Sequence, residues 1–131
     1  MGLLYLAPDC HKGRMKKILI IDDDVTALDI VDFLFEDRGY EVVRRADGLS
    51  ALECVESVKP DIILIDLMMP IMDGYTFRTE QMKNPEWSKV PVVVMSAEAN
   101  AKEKMKNFGI TAFLSKPVEL DTILKTVERF S

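Results

Sequence analysis

Histidine and cysteine are scarce in this chain, with one histidine and two cysteines among 131 residues. The cysteines, Cys10 and Cys54, form no C-x-x-C pair, which argues against a thiolate metal site and a dithiol redox centre. A reducing compartment, the cytoplasm, is therefore expected. His11 lies in an aperiodic stretch at the start and is assigned no chemistry. Long apolar runs are also missing. Nothing approaches the roughly 18 consecutive apolar residues that cross a bilayer. The apolar residues 3–7 are too few for a signal-peptide core, so no membrane insertion is expected. A basic excess is absent too. The 17 lysines and arginines face 22 acidic residues, a net charge of −5, which disfavours a nucleic-acid surface. No G-x-G-x-x-G follows the first apolar run, which disfavours a dinucleotide-binding cradle.

What the chain does have is a regular alternation of short apolar runs with helical periods. At this length, with 48% hydrophobic and 30% charged residues, one globular domain is expected. Residues 1–15 read as a loose leader and 16–131 as the domain. Residues 18–21 form a buried strand running into Asp22, Asp23 and Asp24. Ala27, Ile30, Val31, Leu34 and Phe35 then recur at helical spacing, and Gly39 supplies a C-terminal cap. A second strand covers 40–43. Asp47 caps a helix carrying Leu49, Leu52, Val55 and Val58. Residues 62–65 are an unbroken apolar run, the mark of a strand covered on both faces, and the run stops at Asp66. Asp73 caps a helix over 73–83, whose apolar face is interrupted by Arg78 and Gln81. A fourth strand, 92–95, ends at Ser96. Residues 98–108 read as a helix with few large apolar residues, weakly anchored and able to shift. The fifth strand, 112–115, closes on Lys116 and Pro117. Leu120, Ile123, Leu124, Val127 and Phe130 mark the last helix. Strands alternating with helices in this way imply an α/β fold, a doubly wound five-stranded parallel sheet with right-handed crossovers.

Four of the strands end in polar groups: Asp22 and Asp23, Asp66, Ser96 and Lys116. In open α/β sheets the carboxyl edge is where chemistry collects. Three carboxylates brought together repel one another unless a cation joins them. Hard oxygen ligands, partly hydrated, suit Mg²⁺. A divalent ion, a lysine and a hydroxyl around one carboxylate can hold three phosphoryl oxygens. Asp66 is then the nucleophile that accepts the phosphoryl group.

The stretches K-K-I-L-I-I-D-D-D, I-I-L-I-D-L-M-M-P-I-M-D-G, V-V-V-M-S-A and F-L-S-K-P resemble the receiver domain of two-component response regulators, including its single-domain chemotaxis type. The resemblance runs from about Lys16 to Phe130. It implies a flavodoxin-like sheet of order 2-1-3-4-5, with Asp66 as phosphoacceptor and Mg²⁺ as cofactor. By the same resemblance Asp23, Asp66 and the main-chain carbonyl of Met68 are direct metal ligands, and Asp22 acts through water. Lys116 matches the family's active-site lysine, with a cis peptide bond to Pro117. Ser96 matches the switch hydroxyl and Phe113 the aromatic residue coupled to it.

Ser96 stands where threonine is commoner, and Phe113 lacks a phenolic oxygen, so an inward population of its ring is expected without phosphorylation. Gln81 stands where the family buries an aliphatic side chain, and loose packing of its helix is expected. Met68 and Glu98 flank the approach of hydrolytic water, with methionine shielding expected to dominate. The implied partners are a sensor histidine kinase or phosphotransfer protein and a downstream protein target. The only chemistry catalysed would be the domain's own phosphorylation and dephosphorylation. Since nothing follows Ser131 here, output by protein contact through the fourth helix, fifth strand and fifth helix is expected. One competing reading exists. Residues 22–26 also fit D-x-D-x-T of haloacid-dehalogenase-like phosphatases, with Asp22 as nucleophile and Asp24 as acid/base.

Overall fold

Short runs of isoleucine, leucine and valine bury both faces of an extended chain, and here they pair as a parallel sheet. The computed structural model describes residues 15–67 and 72–131. In chain order it contains β1 (Lys17–Ile21), α1 (Val25–Asp37), β2 (Glu41–Arg45), α2 (Gly48–Val58), β3 (Ile62–Asp66), α3 (Gly74–Met82), β4 (Val92–Ser96), α4 (Ala101–Lys104), β5 (Ala112–Ser115) and α5 (Leu120–Phe130). A 3₁₀ turn, Met105–Phe108, continues directly from α4. All pairings are parallel and the strand order is β2-β1-β3-β4-β5, the expected arrangement.

Alternation along the central strands divides the core in two. Ile18, Ile20, Ile62, Leu64, Val93 and Met95 meet Leu28, Val31 and Phe35 of α1 and Ile123, Leu124 and Val127 of α5. On the other face Leu19, Ile21, Ile63, Ile65, Val92 and Val94 meet Ala51 and Val55 of α2, Phe77 of α3, and Ala101 and Met105. Each such buried aliphatic side chain contributes about 1.5–3 kcal/mol, while a helix cap contributes about 1 kcal/mol. Burial therefore sets the fold, and the caps set where helices begin. Asp24, Asp47 and Asp73 cap α1, α2 and α3 through side-chain oxygens that accept backbone N–H groups.

The helical faces differ from the expected ones. In α1 the buried stripe is Leu28, Val31 and Phe35, and Ile30 is turned out at 46% exposure. In α2 it is Gly48, Ala51 and Val55, with Leu49 exposed. Close approach explains α2. A Cβ on Gly48 would sit 2.5 Å from the carbonyl oxygen of Met72, so only the smallest residue lets this helix lie against that loop. The expected helix over 98–108 is much shorter. Regular α-helix spans only Ala101–Lys104, Asn100 provides no side-chain cap, and the rest is the 3₁₀ turn.

The largest correction concerns α3. Arg78 and Gln81 do not loosen it; they are 5% and 0% exposed and fully engaged. Arg78 Nε and Nη2 donate to the carbonyls of Phe108 and Gly109 at 2.8 Å. Its Nη1 donates to Gln81 Oε1, also at 2.8 Å. Gln81 Nε2 in turn donates to the Trp87 carbonyl at 2.7 Å. Buried polar groups persist when every partner is supplied. Here they tie α3 to the 3₁₀ turn and to the loop before β4. The leader expected over 1–15 lies, apart from Met15, outside the described residues.

Candidate functional site

The sheet register decides what meets at its carboxyl edge. Ile21 pairs with Ile65, so the next residues, Asp22 and Asp66, leave adjacent strands side by side. Asp66 pairs with Met95, and Ser96 with Ser115, which brings Lys116 to the same rim. Its backbone N–H donates to the Ser96 carbonyl at 2.8 Å. The sheet thus brings all four strand-end groups to one edge.

Asp22, Asp23 and Asp66 each offer a carboxylate oxygen within 4.8 Å of the other two. Asp22 and Asp66 are buried, at 2% and 8% exposure, and Asp23 is exposed. Lys116 Nζ donates to Asp66 Oδ2 at 3.0 Å and lies 3.5 Å from Asp22 Oδ2. Burial raises the pKa of Asp22, and the Asp66 charge adds to the rise. The Asp24 N–H on its Oδ1 and the Lys116 charge offset this only in part. For Lys116, burial works against the ammonium. The hydrogen bond to Asp66 and the charges of Asp22 and Asp66 outweigh it, so its pKa is raised. Three carboxylates against one ammonium leave the cluster short of positive charge. An all-oxygen donor set with one exposed member fits a partly hydrated hard divalent cation.

Ser96 is buried beside this cluster, and its Oγ accepts the Glu98 N–H at 3.0 Å. That bond uses a lone pair and leaves the hydroxyl proton for another acceptor. The Lys116–Pro117 bond is cis, as expected. Phe113 is half-buried; it packs against the core formed with α2, α3 and α4 and lines a cavity of about 650 Å³ with Asn100, Lys102 and Ile110. The expected metal ligand at Met68 lies outside the described residues.

Two side-chain contacts near the site were not expected from the sequence. Asp24 Oδ1 accepts the N–H groups of Thr26 and Ala27, which commits it as the α1 cap. That leaves it badly placed as the acid/base of a dehalogenase-like phosphatase. Glu98, expected to flank the water path, is held at both carboxylate oxygens. The Tyr75 hydroxyl donates to Oε1 at 2.9 Å and Lys104 Nζ to Oε2 at 3.0 Å. The bonds from Lys104 and Tyr75 lower the pKa of Glu98. Burial and that same bond push Tyr75 up to about 12. The Asp24 cap was legible in D-x-T at a helix start, but no local pattern marks the second group.

Residues 18–128 match the family model described as the response regulator receiver domain. PilH of Pseudomonas aeruginosa is 30% identical over 115 residues, which are 86% of this chain and 95% of PilH. The regulator RpaA of Synechocystis, named as a DNA-binding dual master transcriptional regulator, is 32% identical over 115 residues. The match covers 86% of this chain but only 48% of RpaA, so the chain spans about half the length of that relative. Among solved structures, the Vibrio cholerae chemotaxis protein CheY4 superposes with a TM-score of 0.83 at 32% identity, covering 90% of this chain and 100% of CheY4. None of these matches supports the phosphatase reading. A family match over residues 18–128, on a sheet edge that carries these acids and this lysine, establishes that the chain belongs to the response regulator receiver domains, the phosphoacceptor signalling modules of two-component systems.

Proposed function

We propose that this domain is a cytoplasmic switch in which Asp66 accepts a phosphoryl group from a phosphohistidine of a sensor histidine kinase or phosphotransfer protein. The observation that carries the reading is the 3.0 Å contact of Lys116 Nζ with Asp66 Oδ2 inside the three-carboxylate cluster. In the transfer an Asp66 oxygen bonds to phosphorus as the phosphorus–nitrogen bond breaks, and the electron pair stays on the imidazole. Lys116 already lies against the attacking carboxylate and supplies fixed positive charge for the oxygens of the transferring group. The Ser96 hydroxyl supplies a donor for another of them. Asp23 and Asp66, with the main-chain carbonyl of Met68, would hold Mg²⁺ directly, and Asp22 would hold it through water. Bound there, the ion neutralises carboxylate repulsion and the charge of the arriving phosphoryl group. Hydrolysis reverses the state: water attacks phosphorus, inorganic phosphate leaves, and the Asp66 carboxylate is restored. The domain catalyses no other chemistry in this reading.

The acyl phosphate adds about two negative charges at one sheet edge. Ser96 and Lys116 turn toward it, the Ser96 shift opens space for Phe113 to rotate inward, and the face built by α4, β5 and α5 changes its protein contacts. Asp66→Asn, nearly isosteric, tests the acceptor. The variant is expected to keep the fold and lose the phosphoryl adduct formed by wild type with acetyl phosphate and Mg²⁺. A full adduct on the variant by mass spectrometry would place the chemistry elsewhere.

A further inference from the structure

The group that joins Tyr75, Glu98 and Lys104 links a rigid element to a weak one. Tyr75 lies in the first turn of α3, which is fixed to the end of β3. The Gly74 N–H donates to the Leu67 carbonyl at 3.0 Å. A Cβ on Gly74 would sit 2.7 Å from Leu67 Cδ2, so α3 starts in closest contact with the strand that carries Asp66. The Tyr75 ring also meets Phe108 edge-on at 5.6 Å. Opposite it, α4 is four residues long, lacks a side-chain cap and buries only Ala101. Glu98 is the joint between the two. Its carboxylate takes the Tyr75 hydroxyl and Lys104 ammonium, while its backbone N–H donates to Ser96 Oγ. Ser96 therefore cannot shift without carrying Glu98 along or breaking that backbone bond. Carrying Glu98 along pulls its carboxylate from a hydroxyl anchored on α3.

We propose that Tyr75 is a positioning residue for the switch: through Glu98 it clasps the 96–98 turn in its present geometry and opposes the movement of Ser96 toward a phosphoryl group on Asp66. This rests on the reading of Asp66 and Ser96 given above. The clasp contributes affinity for the unphosphorylated state, so loosening it favours the phosphorylated one by the same factor. Lys104 adds a charge-assisted bond from within α4, so the same clasp steadies that helix. Glu98 is in consequence committed to structure and is not available to orient hydrolytic water.

Beryllofluoride with Mg²⁺, a phosphoryl mimic, tests this by titration calorimetry on the whole chain. Tyr75→Phe keeps the ring and its Phe108 contact but removes the hydroxyl. Loss of one hydrogen bond to a part-exposed carboxylate is expected to tighten beryllofluoride binding about threefold. In a Glu98→Ala background the same Tyr75→Phe change is expected to do nothing, since the cycle isolates the pair. Unchanged or weaker binding by Tyr75→Phe would overturn the clasp, as would tightening that persists without Glu98. A wild-type protein that binds no beryllofluoride would overturn the phosphoacceptor reading and the clasp with it. Wild-type binding with an indifferent Tyr75→Phe sinks the clasp alone.

Discussion

Asp22 shows what assembling a charged site does to stability. Its side chain is nearly enclosed, and burial first, then the Asp66 charge, raises its pKa above 3.8. An acid whose folded pKa exceeds its unfolded one holds its proton more tightly when folded. Stability is then lost as pH rises through that window and is not recovered above it. Asp22→Asn removes the ionisation and keeps an Oδ1 to accept the Asp24 N–H. With a chelator present, the variant is expected to melt above wild type at neutral pH, with the gap closing below 3.8. It is also expected to bind Mg²⁺ more weakly. Thermal melts across the acid range check the sign, and a variant melting below wild type at neutral pH contradicts it. Asp66, Ser96 and Lys116 were legible because a polar residue ending an apolar run reports its own place. Glu98 and its partners were not, because Tyr75 lies 23 residues away and Lys104 six. A contact at such separation leaves no period in the chain.

At the scale of elements, α3 and α4 carry the differences between expectation and structure. An interruption in an apolar stripe signals a poor face when only the stripe is known. In α3 the interrupting arginine meets two main-chain carbonyls and a glutamine instead of solvent. Arg78→Met replaces the stem of the side chain but leaves those acceptors unmet. A loss of about 2 kcal/mol in urea unfolding is expected for removing a buried multidentate donor. Faster amide exchange in the turn at 105–108 is expected with it. A loss below about 0.5 kcal/mol would show that water replaces the guanidinium at little cost. For α4 the helix is shorter than its composition alone indicated, lacks a side-chain cap and buries only Ala101. Regular helix stops at Lys104, and Met105, which is buried, opens the 3₁₀ turn that follows.

Across the whole molecule, stability and ligand binding are linked, because the carboxylate cluster exists only when β1 and β3 are paired. A cation that binds the folded state and not the unfolded chain stabilises by about 2.7 kcal/mol at a hundredfold excess over its Kd. Mg²⁺ is therefore expected to raise the melting temperature of wild type. Asp23→Ala, which removes the exposed carboxylate, is expected to abolish that rise without disturbing the core. An undiminished rise in the variant would put the metal elsewhere. The order of strands and helices and the edge where the acids gather were determined by the sequence alone. Both follow from periods and run ends that each segment carries within itself. Tertiary structure alone decided which stripe of α1 and α2 is buried, why Arg78 and Gln81 belong in α3, and that Tyr75 reaches Glu98. Those outcomes depend on the shape and unmet hydrogen bonds of a neighbour distant in the chain, and no segment encodes its neighbour.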